Sequence, residues 1–180
     1  MKTLHPLLVV VFFASVMIDA PAHAGDGSCP WNHLPEPVRA SAMEAGLAGG
    51  PGALSNKIPA ADLSRAEKAC GLKLDNGGAL RRAESGYMLQ ILAEAWLQKN
   101  ATLSPQRLGA AWAAMGADAK APFLRWAITL ESDPEGRNQA YGAFLKGLGD
   151  RAGSLPPDAK PKIVTYLQGR SLRSVFEPRF

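Results

Sequence analysis

Two cysteines, one carboxylate and a set of basic side chains are the residues whose types could carry chemistry in this chain. Cys29 and Cys70 are the only cysteines among 180 residues. An even cysteine count in an exported protein reads as a disulfide before it reads as a reactive dithiol. A redox-active pair would want Cys-x-x-Cys spacing, which is absent, so Cys29 and Cys70 are expected to form one structural bridge. The chain-entropy estimate for the loop it closes is about 4 kcal/mol. Of the three histidines, His5 and His23 lie in the N-terminal segment and only His33 remains beyond it. There is no Gly-x-Ser-x-Gly elbow for a Ser–His nucleophile. Neither His-x-x-x-His, Cys-x-x-Cys, an EF-hand loop nor a haem-attachment motif is present, so no metal and no cofactor is expected.

Glu84 is the carboxylate of interest. It falls in line with Tyr87, Met88, Ile91 and Ala95, where burial would raise its pKa and suit it to donate a proton. The string Arg82-Ala83-Glu84-Ser85-Gly86-Tyr87 resembles the Glu-Ser-Gly-aromatic motif around the catalytic acid of soluble lytic transglycosylases. That resemblance implies cleavage of cell-wall glycan with Glu84 as general acid. Here Met88-Leu89-Gln90 follows at once, where that family has an intervening segment and a Gly-Leu-Met-Gln stretch. The simpler reading places Glu84 in the first turns of a helix, favoured by the helix dipole and paired with Arg81 or an arginine of a neighbouring helix.

The elements that must position these residues begin with an export signal. Lys2 supplies a positive start and Leu7 to Ile18 an apolar run. Ala22-His23-Ala24 has the small-x-small pattern of a cleavage site before Gly25. Residues 1–24 are therefore expected to be a cleavable signal, with the mature protein in the periplasm or secreted. The apolar run is shorter than the roughly 20 residues that a spanning helix needs. Residues 25–36, with Pro30 and Pro35 and followed by Pro37, read as an extended lead, and residues 37–180 as an all-α domain. Gly (18) and Pro (14) punctuate an alanine-rich sequence in which apolar residues recur at three- and four-residue steps.

The helices are expected from Pro37 (Val38, Ala42, Ala45, Leu47) to Gly49-Gly50-Pro51-Gly52, with a mobile linker following, and from Pro59 or Asp62 to Cys70. The Asp75-Asn76-Gly77-Gly78 turn then leads into a long central helix from Ala79 to Lys99. Further helices follow Ser104-Pro105, Asp118, a Ser132-x-x-Glu135 capping box and Asp158, the last ending at Phe176. The expected fold is a single all-α bundle of about six or seven short helices with one disulfide.

The surface offers binding candidates. The net charge is +4, and residues 146–180 carry Lys146, Arg151, Lys160, Lys162, Arg170, Arg173 and Arg179 against three acids. Arg170 and Arg173 are expected to point outward or to favour the carboxyl end of the last helix. Trp96 and Trp112 fall on core stripes. Trp126, beside Arg125, lies off its stripe and is the tryptophan expected nearest a surface. Lys160, Lys162, Arg170, Arg173, Arg125 and Trp126 are thus the candidate binding residues. An exported basic surface could meet another envelope or secreted protein, an anionic glycan or an anionic lipid surface; location disfavours nucleic acid. With no catalytic set visible, the expected role is non-catalytic binding, as an adaptor, inhibitor or immunity-type envelope protein. A lytic transglycosylase-like enzyme and a membrane-surface binder through the basic last helix are the alternatives.

Overall fold

The computed structural model describes residues 27–71 and 77–179. The expected signal segment 1–24, its cleavage site at Ala24-Gly25, and the Asp75-Asn76 part of the turn lie outside the described residues. Among the described residues every regular element is helical: α1 (Cys29–His33), α2 (Glu36–Gly49), α3 (Pro51–Asn56), α4 (Ala60–Ala69), α5 (Gly77–Ala101), α6 (Pro105–Ala114), α7 (Ala117–Thr129), α8 (Pro134–Leu148) and α9 (Ala159–Phe176). Short 3-10 turns cover Gly149–Ser154 and Glu177–Arg179. No helix of the described residues is long and apolar enough to cross a membrane.

The all-α reading therefore holds, with nine α-helices among the described residues where six or seven were expected. The two additions fall where prolines had been read as breaks. The lead segment is not extended throughout: Pro30 occupies the first turn of α1, where its missing N–H has no intrahelical partner to lose. The segment after Gly49 is likewise no mobile linker. Gly50 takes φ 83° and turns the chain, and Pro51 then opens α3.

Caps follow the sequence in part: α7 starts at Ala117 with Gly116 at the cap position, so Asp118, expected to cap it, lies inside its first turn. Ser104 Oγ accepts the Arg107 N–H at 3.3 Å and starts α6. At α8 the cap is Asp133, whose Oδ1 accepts the Gly136 N–H at 2.9 Å. Ser132, expected in that role, instead accepts a hydrogen bond from the Arg137 guanidinium.

Helix α5 is the spine, about 37 Å long at 1.5 Å per residue. Its middle packs against the amino-terminal helices through Trp31, Leu34, Ala42, Leu54, Ile58, Ala66 and Leu92. Its carboxyl half joins α6, α7, α8 and α9 around Leu97, Leu103, Phe123, Phe144, Ile163 and Tyr166. A smaller group, Ala83, Ala127, Leu172 and Phe176, closes the other end. Cys29 and Cys70 are bridged, with Cα atoms 6.0 Å apart, fastening α1 to the end of α4. Helices α5 and α9 run antiparallel: Gly86 lies by Leu172, whereas Trp96 lies beneath Lys162.

Candidate binding groove

The α5–α9 seam is polar at its centre, which corrects the reading of the last helix. Arg173 is not a solvated surface cation. Its side chain is 17% exposed and pairs with Glu177, donates to Gln90 Oε1 at 2.9 Å and lies over the Tyr87 ring at 5.1 Å. Glu177 also accepts the Gly27 N–H at 3.2 Å, tying the start of the described chain to its end. Gln90 donates to Glu94 at 2.8 Å. Burial raises the Glu94 carboxyl above its ordinary range, opposed by the Gln90 bond and by Arg170 and Arg173. Arg170 is half-buried, and its Nε is enclosed without a hydrogen-bond partner, as is the Tyr166 hydroxyl. Burial pushes that hydroxyl up to about 12. Both arginines thus serve the seam and do not form a basic stripe in solvent.

Glu84 is buried at 6% exposure. Burial first, and the neighbouring Glu67 carboxylate second, push its carboxyl up to about 7 against the opposing pull of Arg81. The expected arginine contact therefore contributes only in part, and Glu84 Oε1 has no hydrogen-bond partner. A raised acid is what proton donation needs, but a substrate must also reach it. The space beside Glu84, lined by Pro30, Trp31, Leu34, Leu63, Tyr87 and Met88, is a cavity of about 10 Å³, room for one water. A sugar ring does not fit there.

Of the remaining candidates, Arg125 is exposed and Trp126 half-buried. Trp126 packs on the Ala83–Phe176 group. Lys160 lies 5.3 Å over the Tyr141 ring and donates to Asn138 at 3.3 Å. Lys162 is the candidate that the fold places in a concavity.

That concavity lies where α2 and α3 meet α5 and α9, lined by Gly46, Leu47, Gly50, Pro51, Leu92, Trp96, Lys162 and Thr165. Gly46 brings α2 down onto α5, since a Cβ there would stand 2.6 Å from Leu92. Leu47, expected on the inner face of its helix, is instead 41% exposed. The Lys162 ammonium lies 5.7 Å over the Trp96 ring, so Trp96, expected in the core, is a half-buried wall. The cavity is about 50 Å³. Cofactor and drug-sized sites run to about 300 Å³ or more, so this one suits a single inserted side chain. The sequence contained the pieces but not their meeting: Leu47, Trp96 and Lys162 lie on three helices, and their juxtaposition is non-local.

A second grouping lies beside the disulfide. His33 Nδ1 lies 3.5 Å from Cys29 Sγ and 3.5 Å from Cys70 Sγ. The Cys29-x-x-x-His33 spacing, one helical turn, was the available signal.

Fold and groove together define a disulfide-stapled all-α protein with a small apolar concavity under a lysine. No known protein-family description, curated protein or solved structure matches the chain.

Proposed function

We propose that this chain is a non-catalytic binding protein working outside the cytoplasm, and that its groove takes an apolar side chain flanked by a carboxylate from another envelope or secreted protein. The observation that carries this reading is the Lys162 ammonium held over Trp96 at the lip of a concavity whose rim includes exposed Leu47. An apolar floor rewards burial of an aliphatic or aromatic anchor. A cation fixed at the edge selects an acidic neighbour and steers its approach. Export is supported by the signal-like pattern of residues 1–24 and by the Cys29–Cys70 bridge, which suits an oxidising compartment.

Neither alternative gains comparable support. The space beside Glu84 is too small for glycan, and on α9 Arg173 is engaged at the α5–α9 seam and Arg170 is half-buried, so neither is presented to a membrane. The test is selection of displayed random peptides against the wild-type protein with counter-selection on Lys162→Glu. The expected survivors pair a large apolar residue with Asp or Glu within one or two positions. Survivors without acidic enrichment, or survivors that bind Leu47→Asp equally well, would overturn the reading.

A further inference from the structure

The disulfide of this chain has a third partner. His33 Nδ1 stands 3.5 Å from both sulfurs, and the donor atoms of Cys29, His33 and Cys70 all lie within 4.8 Å of one another. In a tetrahedral zinc centre, Zn–S of about 2.3 Å and Zn–N of about 2.0–2.1 Å put sulfur and nitrogen about 3.5 Å apart. The imidazole therefore already sits at ligand spacing from each cysteine. Cys29 and Cys70 are buried, whereas His33 is exposed, which gives an ion a route in from solvent beside the imidazole. The two cysteine Cα atoms, 6.0 Å apart, leave their side chains able to part to the sulfur–sulfur spacing of such a centre, about 3.8 Å.

We propose that the reduced form of this protein binds one zinc(II) ion through Cys29 Sγ, Cys70 Sγ and His33 Nδ1, and that re-forming the bridge by exchange with an oxidised dithiol, whose disulfide takes up the two electrons and two protons from water to become two thiols, releases it. The reductant is a dithiol: its two sulfurs become a disulfide, two electrons and two protons pass to the Cys29–Cys70 bond, and two thiols result. Binding zinc then displaces those two protons. The imidazole, whose Nδ1 lies 3.0 Å from the Cys29 carbonyl oxygen, gives up that contact, and its one proton sits on Nε2 in the zinc-bound form. Three protein ligands leave a fourth position for water, the pattern of an open zinc centre. The same residues are thus a staple when oxidised and a soft-metal site when reduced.

The full chain is reduced with a dithiol, freed of it without air, and titrated with cobalt(II) as a coloured stand-in for zinc(II). One equivalent is expected to give near-ultraviolet thiolate-to-cobalt absorption and tetrahedral visible bands, both bleached by zinc(II). The disulfide form is expected to give neither. His33→Ala changes only an exposed side chain and is expected to shift the visible bands and weaken binding at least about tenfold, the least that even outer-shell partners are worth. Helicity is followed by circular dichroism on the same samples. A reduced chain with no thiolate–cobalt absorption overturns the proposal, as does a His33→Ala variant with unchanged spectrum and affinity. Loss of helicity on reduction that zinc(II) does not restore overturns it too.

Discussion

Gly86 and Gly169 meet backbone to backbone where α5 crosses α9. A Cβ built on Gly169 would stand 2.6 Å from the Gly86 carbonyl oxygen, and one built on Gly86 would stand 2.8 Å from the Gly169 carbonyl oxygen. Side chains on either helix would hold the axes apart, so these two positions set how closely the spine and the last helix approach. The closeness matters to the groove, because α9 also carries Lys162 to the Trp96 ring.

Gly169→Ala is therefore expected to destabilise the protein by about 1–3 kcal/mol, the range for overpacking a tight contact. The gain in helix propensity of about 1 kcal/mol works against the loss without cancelling it. Gly142→Ala, in α8 where an added Cβ meets nothing within 4 Å, is expected to stabilise by about 0.4–1 kcal/mol. Urea unfolding of the two variants with the bridge intact checks both signs.

The Glu84 carboxyl is held at about 7 in the folded chain, against an ordinary 4.5. Between those values the folded state keeps a proton that the unfolded state gives up, so this group's stabilisation is complete below about pH 4.5 and is lost as pH rises to 7. The difference is up to about 3 kcal/mol at 1.36 kcal/mol per pH unit. Glu84→Gln, which mimics the protonated acid, is expected to flatten that slope: stability close to wild type at pH 4 and higher than wild type at pH 8. Denaturant midpoints across pH 4–8 measure it.

Much of the fold could be read in the sequence because its signals are local. The long helix α5, the Ser104 cap and the bridge between the two cysteines follow from spacing and counting, and each is present. What could not be read depends on which helix faces which. Arg173 was expected to point outward or to favour the carboxyl end of its helix; it does lie in the last turn, yet Gln90 and Glu177 receive it within the seam. Gly86 and Gly169 are ordinary helix positions until α5 and α9 are laid together. Leu47, Trp96 and Lys162 likewise form a groove only once α2, α5 and α9 are in place.

The buried role of Arg173 separates it from a surface charge. Arg173→Ala strips Gln90 and Glu177 of a charged partner in a half-buried seam and is expected to cost about 1.5–3 kcal/mol. Arg125→Ala, on an exposed side chain, is expected to stay within about 0.5 kcal/mol of wild type. Thermal unfolding of the pair distinguishes a seam arginine from a surface one.

Replacing both cysteines by serine removes a link across 41 positions and is expected to cost about 2–4 kcal/mol. The loss should appear as a lower urea midpoint, with the helical signal of the folded baseline retained at low denaturant.

Charge reversal at the groove bears on function itself. A peptide carrying a leucine beside a glutamate is titrated into wild-type protein and into Lys162→Glu, and the same peptide with lysine in place of the glutamate is titrated into both, completing a double-mutant cycle. The expected result is at least about tenfold weaker binding of the acidic peptide by Lys162→Glu, with affinity restored when the lysine peptide meets the glutamate variant. Equal affinity of the acidic peptide for both proteins, or no restoration by the exchanged pair, would contradict recognition through Lys162 and Trp96.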